Sequence, residues 1–108
     1  MVLRSLTLGL GLILFGSCGG PQTSSSESQE PSNKTGKQLY MENCASCHGA
    51  DGKLGSSGAK DLNESKMTDE QIEKIIHDGQ GVMPPFKELI PSKEDRDKVL
   101  EHVKKFRD

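Results

Sequence analysis

Two thiols and an imidazole stand together in this 108-residue chain, at Cys44-Ala45-Ser46-Cys47-His48. Two cysteines separated by two residues and followed directly by histidine form the C-x-x-C-H pattern of c-type haem attachment. Each sulfur can add to one porphyrin vinyl group, and the two-residue spacer sets the sulfurs at the separation of those vinyls. His48 then falls beneath the iron as an axial donor, and its other ring nitrogen needs an acceptor that fixes the ring plane. Two other chemistries use similar residues. A thioredoxin-like redox dithiol opens a helix after a strand, and no strand pattern precedes Cys44. A zinc site needs a second C-x-x-C or an H-x-x-x-H pair, which the sequence lacks.

From Lys34 to Asp108 the chain resembles a small class I cytochrome c. The run Gly36-Lys37-Gln38-Leu39-Tyr40 into Asn43-Cys44-Ala45-Ser46-Cys47-His48-Gly49 is similar to that family's first helix and haem site. Gly79-Gln80-Gly81-Val82-Met83-Pro84-Pro85-Phe86 resembles the loop that carries its axial methionine. The resemblance implies an all-α fold of three to four helices wrapped around one covalently attached haem c. It also implies one-electron transfer, not enzymatic turnover, as the activity.

The thioether of Met83 is a soft donor that favours Fe(II), so His/Met ligation raises the reduction potential above that of a bis-His site. Gly79 and Gly81 let the loop turn toward the haem, and Pro84 and Pro85 stiffen the backbone after the sulfur. Phe86 is expected to shield the site from water. The alternative is that Met83 is a core methionine. Met41 is too near the attachment site to cross to the distal face, and Met67 lies at a helix entry without the glycine-proline loop. If Met83 does not ligate, a five-coordinate haem gas sensor or peroxidase-like domain becomes possible. Catalysis would then need a distal acid–base group, and only His77 and His102 are available.

The elements that position these residues follow from local pattern. A first helix is expected from about Thr35 into the Cys44 region, with Gly36 and Tyr40 on one face. Gly49 to Lys66 reads as a polar, glycine-rich loop in which Leu62 is expected to cover a haem edge. In the family a proline carbonyl in this loop often orients the proximal histidine; this segment has no proline, so the partner of His48 is not legible. Thr68-Asp69-Glu70-Gln71 fits a capping box, Ile72, Ile75 and Ile76 form an apolar stripe, and Gly79 stops that helix. His77 lies off the stripe and reads as a surface residue. A last helix is expected from Ser92, with Val99, Val103 and Phe106 on one face, packing on the first. His102 flanks that face where the family usually has an aromatic residue.

The N-terminal third has a different character. Arg4 and the apolar run from Leu6 to Phe15 suit a secretory signal, which is shorter than a membrane span. Gly16-Ser17-Cys18 resembles a bacterial lipoprotein processing site, so residues 1–17 are expected to be removed and Cys18 lipidated. A soluble secreted protein cut near Gly16–Gly20 and an uncleaved anchor are the alternatives. Two thioethers and one lipidated cysteine would leave no spare thiol among the three cysteines. From Cys18 to Asn33 the chain is rich in Ser, Pro and Glu and reads as a disordered tether. Its fifteen residues from Gly19 to Asn33 span roughly 20 Å on average. The domain proper is then 34–108, where 13 Lys/Arg face 14 Asp/Glu. No basic patch interleaved with aromatics marks a nucleic-acid partner. With no Trp, one Tyr and three Phe in the chain, a porphyrin would supply the missing apolar bulk of so small a core. Lys53, Lys60 and Lys87 are candidates to steer docking near the haem.

The resulting expectation is an exported, monomeric, mono-haem carrier, lipid-anchored outside the cytoplasmic membrane. By resemblance its partners are membrane-bound respiratory redox proteins: a quinol-oxidising complex and a terminal oxidase.

Overall fold

The computed structural model describes residues 30–108 together with Gly16 and Gly19. The expected signal peptide, Cys18 and most of the tether lie outside the described residues. Four α-helices form among those described: α1 (Gly36–Asn43), α2 (Ala45–His48), α3 (Asp69–Asp78) and α4 (Lys93–Lys104). A 3-10 turn at Ser56–Gly58 interrupts the long loop, and no strand forms among these residues.

Each helix starts where side chains satisfy its free N–H groups. Thr35 Oγ1 accepts the Gln38 N–H at 3.2 Å, and Gln38 Oε1 accepts the Thr35 N–H at 2.8 Å. Thr68 and Gln71 repeat this reciprocal box with the same distances, 3.2 and 2.8 Å. Ser92 Oγ accepts the Asp95 N–H at 3.3 Å at the head of α4. Such a cap is worth about 1 kcal/mol. The boxes at Thr35 and Thr68 share one sequence grammar, T-x-x-Q, and only the second is anticipated above.

The core forms where α1 crosses α4, with α3 packed on α4. Leu39, Tyr40, Val99, Leu100 and Val103 are buried at the crossing, Ile72 and Ile76 come from α3, and Phe86 and Ile90 come from the α3–α4 connection. Gly36 permits the crossing: a Cβ there would lie 2.0 Å from the Lys98 carbonyl oxygen. Ile75, third member of the α3 stripe, is half-buried because it borders the cleft described below.

His102 sits in this crossing. Its ring centroid lies 5.0 Å from Tyr40 and 5.3 Å from Phe106, and Tyr40 lies 5.2 Å from Phe106. The imidazole therefore packs as the expected aromatic would. Burial, with Lys105 and Lys37 nearby, holds it below its ordinary value of 6.5. The unfolded chain then binds a proton that the folded chain refuses, so stability falls as pH drops below about 6.5. His102→Phe is expected to remove this component. Urea melts between neutral and mildly acid pH should show a smaller acid loss for the variant; equal losses would overturn the assignment.

Ser32, inside the stretch read as tether, is held against α4. The Ser32 N–H donates to Asp95 Oδ2 at 2.7 Å, and Lys98 Nζ reaches both Ser32 O (3.1 Å) and Asp95 Oδ1 (2.9 Å). Composition alone gives no sign of this, because the clasp depends on a buried carboxylate 63 residues away.

Candidate functional site

The helices leave a cleft of about 840 Å³ on one side of the core. That is within the range of about 300–1,000 Å³ typical of cofactor sites. The C-x-x-C-H turn lines it: Cys44, Ser46, Cys47 and His48 all border the cleft. So do Met83, Pro84 and Phe86 from the loop after α3, and Ile72, Ile75, Val99 and Val103 add much of the apolar lining.

Cys44 N–H closes α1 by donating to the Tyr40 carbonyl at 2.8 Å, and the chain re-enters a single helical turn through Cys47 and His48, whose N–H groups reach the Cys44 carbonyl at 3.2 and 2.9 Å. Gly49 stops that turn at φ 83°, where a Cβ would strike Leu54 Cβ at 2.7 Å. Cys44 is buried and Cys47 exposed, with no disulfide between them. Burial, and secondarily Cys47, pushes the Cys44 thiol up to about 12. Cys44 is therefore not the stabilised thiolate with which a redox dithiol attacks. Among the described residues, no group of three or more His, Cys, Asp or Glu converges as a bare metal site.

His48 Nδ1 lies 3.1 Å from the Lys60 carbonyl oxygen. This contact orients the ring and leaves Nε2 free as a donor to a metal. Lys60 is a functional residue that the sequence does not announce, since any residue type supplies a carbonyl. Lys60 borders the cleft, as does Lys66, whereas Lys53 and Lys87 do not.

The Met83 loop is set by backbone geometry. Gln80 and Met83 exchange two N–H···O bonds of 3.0 Å, closing a tight turn with Gly81 at φ 58°. Gly79, at φ 74°, ends α3, and a Cβ there would meet Met83 O at 2.6 Å and Pro85 N at 2.7 Å. Phe86 N–H then ties back to Ile76 O at 2.9 Å, so the loop is hinged to α3 at both ends. Met83 is half-buried and packs on the core. Met67 also borders the cleft, while Met41 stands exposed outside it. Neither His77 nor His102 borders it: His77 pairs with Asp78 Oδ1 at 2.6 Å, and His102 is held in the crossing. The peroxidase-like alternative thus loses both of its acid–base candidates. Leu62 borders the cleft where a haem-covering residue is expected.

The residues present fit a haem: a largely apolar cleft of about 840 Å³, two cysteines at the C-x-x-C spacing, and nitrogen and sulfur donors, His48 and Met83, both lining it. Fold and site define a small class I c-type cytochrome. The chain belongs to that family, its residues 31–103 matching the family model described as Cytochrome C oxidase, cbb3-type, subunit III. It is 34% identical over 90 residues to "Cytochrome c-551" of Bacillus subtilis (strain 168), covering 76% of this chain and 79% of that one. It is 36% identical over 73 residues to "Cbb3-type cytochrome c oxidase subunit CcoP" of Rubrivivax gelatinosus, covering 63% of this chain but spanning only 24% of that subunit. The solved KustC0563 c-type cytochrome superposes with a TM-score of 0.60 at 30% identity, covering 69% of this chain and all of that one. The cofactor is haem c, bound covalently and carrying iron, and the role is electron transfer. No helix among the described residues is long and apolar enough to cross a membrane.

Proposed function

We propose that the protein is a membrane-tethered, mono-haem electron carrier. Cys44 and Cys47 would hold the haem through two thioethers, His48 and Met83 would be the axial iron ligands, and Cys18 would carry the lipid. The observation that supports this most is the cleft itself, which is lined by the C-x-x-C-H turn, the methionine loop and apolar side chains of α3 and α4 together. Haem c supplies a one-electron Fe(II)/Fe(III) couple. The chain's part is to keep both axial donors in place in either oxidation state. The Lys60 carbonyl fixes His48, and the hinged, proline-stiffened turn limits the travel of Met83. With both donors fixed, little reorganises when the charge changes, which suits a carrier better than a catalyst.

The processing site at Cys18 supports the tether, which would place the domain outside the cytoplasmic membrane. Two of its similarities are to an oxidase subunit and to a cytochrome c-551 of comparable length. The first supports a terminal oxidase as acceptor; a quinol-oxidising complex as donor, and a monomer (residues 34–108) on its leash, complete the reading. Absorption spectra of the membrane-derived protein, oxidised and reduced, with and without carbon monoxide, test the site. The expected result is a low-spin c-type spectrum with a weak ferric sulfur-to-iron band and no response to carbon monoxide. Rapid carbon monoxide binding by the reduced, unaltered protein would overturn Met83 ligation and reopen sensing. A protein freed from the membrane by high salt alone would overturn the lipid anchor.

A further inference from the structure

Tyr40 is the most deeply enclosed polar side chain near the attachment turn. It is fully buried, and its hydroxyl donates to the Gly49 carbonyl at 2.6 Å. Its own carbonyl accepts the Cys44 N–H at 2.8 Å. One residue therefore holds both ends of the segment that contains Cys44, Cys47 and His48. Its ring is fixed in turn by His102 and Phe106 at centroid distances of 5.0 and 5.2 Å.

We infer that Tyr40 is a positioning residue for the haem ligands, clamping the Cys44–Gly49 turn through its hydroxyl and fixing the orientation of His48. This rests on the proposal that the turn carries the haem. A phenylalanine at position 40 would pack the crossing equally well; the hydroxyl adds nothing apolar and must be explained by its one partner. Burial, with Cys44 and then Asp51 adding to it, pushes the phenol up to about 12. The group thus remains a donor under any ordinary condition. Gly49 is buried at φ 83°, with Leu54 and Asp51 standing where a Cβ would lie, and its carbonyl also accepts the Gly52 N–H at 3.2 Å. Removing the hydroxyl leaves the buried Gly49 carbonyl with only the longer bond from the Gly52 N–H at 3.2 Å, a loss of its shortest donor that a mere loss of packing does not cause. The turn's internal bonds, His48 N–H to Cys44 O and Gly49 N–H to Ala45 O, are the ones that should open.

The test compares the full-length unaltered protein with Tyr40→Phe and Phe106→Leu. Tyr40→Phe keeps the ring and removes the clamp, whereas Phe106→Leu loosens the crossing and keeps the hydroxyl. Amide hydrogen exchange is read at His48 and Gly49 against Val99 in α4, and ferric electron paramagnetic resonance reports axial-ligand geometry. For Tyr40→Phe, exchange at His48 and Gly49 should rise about tenfold relative to Val99, the consequence of one lost buried hydrogen bond. The ferric g-values should shift. For Phe106→Leu, exchange should rise evenly and the g-values should stay. An even rise in Tyr40→Phe with unchanged g-values would reduce Tyr40 to a core residue and overturn the inference. If Tyr40→Phe fails to accumulate with haem while Phe106→Leu succeeds, the clamp is needed for attachment itself and the inference stands. If neither accumulates, the requirement is general packing and the inference falls. Should the unaltered protein carry no thioether-linked haem, the reading of the site fails separately, and the exchange ratio still decides whether Tyr40 clamps the turn.

Discussion

Met83→Ala is expected to give a protein that keeps its covalent haem but loses the ferric sulfur-to-iron band and binds carbon monoxide rapidly when reduced. The reduction potential should fall by on the order of 100 mV or more, a part of the roughly 0.8 V over which axial ligands set haem potentials. The direction follows from losing a soft donor that favours Fe(II). Stability should suffer less than the spectrum, because Met83 is only half-buried and its turn is closed by backbone bonds to Gln80. The control is Met67→Ala. Met67 borders the same cleft, so it is the other methionine among the described residues positioned to compete. Spectroscopic loss in Met67→Ala with Met83→Ala unaffected would transfer the ligand role to Met67.

Gly36→Ala should be the most damaging single-methyl change in the α1–α4 crossing. Two effects oppose each other. Alanine is favoured over glycine within a helix by about 1 kcal/mol. Against this, the new Cβ would lie 2.0 Å from the Lys98 carbonyl oxygen and 2.7 Å from its carbon. Both are backbone atoms of α4, so no rotamer can relieve the clash and the two helices must separate. Overpacking of this kind typically costs 1–3 kcal/mol. Separation also loosens the buried contacts of Tyr40, Leu39 and Val99, so the clash wins by about 2 kcal/mol net. At roughly 4–8 °C per kcal/mol for a domain this size, the melting temperature should fall by some ten degrees. A thermal melt of the holoprotein checks this, and an unchanged midpoint would mean that α1 and α4 do not approach this closely. The same position in an isolated helix would gain stability, which makes the sign of the effect diagnostic.

The sequence-readable parts of this protein are those written in local grammar. C-x-x-C-H specifies its own turn, T-x-x-Q announces a helix start, and the stripe Ile72, Ile75, Ile76 defines an inward face. The two glycines of the methionine loop are legible as turn residues, although the reason that Gly79 must be glycine lies in atoms of Met83 and Pro85 four and six residues on. What stays hidden involves partners chosen by folding. The Lys60 carbonyl, the Ser32 clasp on Asp95 and the bond from Tyr40 to Gly49 all pair groups whose side-chain identity carries no signal or whose partner lies on another element. His102 is an intermediate case. Its position on the α4 face is readable, but whether imidazole fills an aromatic slot depends on the ring geometry around it. Cationic docking residues were the least legible, because sequence gives lysines but not the rim of the cleft.

The acceptor that aims His48 is main chain, and this has an evolutionary consequence. Every amino acid except in name offers the same carbonyl, so position 60 is free to drift in charge and size while the ring stays aimed. Lys60 can therefore be tuned for recognition of partners without retuning the metal centre. The vulnerability is moved from residue identity to loop length: a single deletion between Gly49 and Lys66 would shift another carbonyl into place or none. Point substitutions and insertions would thus leave very different footprints in this loop, the first tolerated and the second selected against.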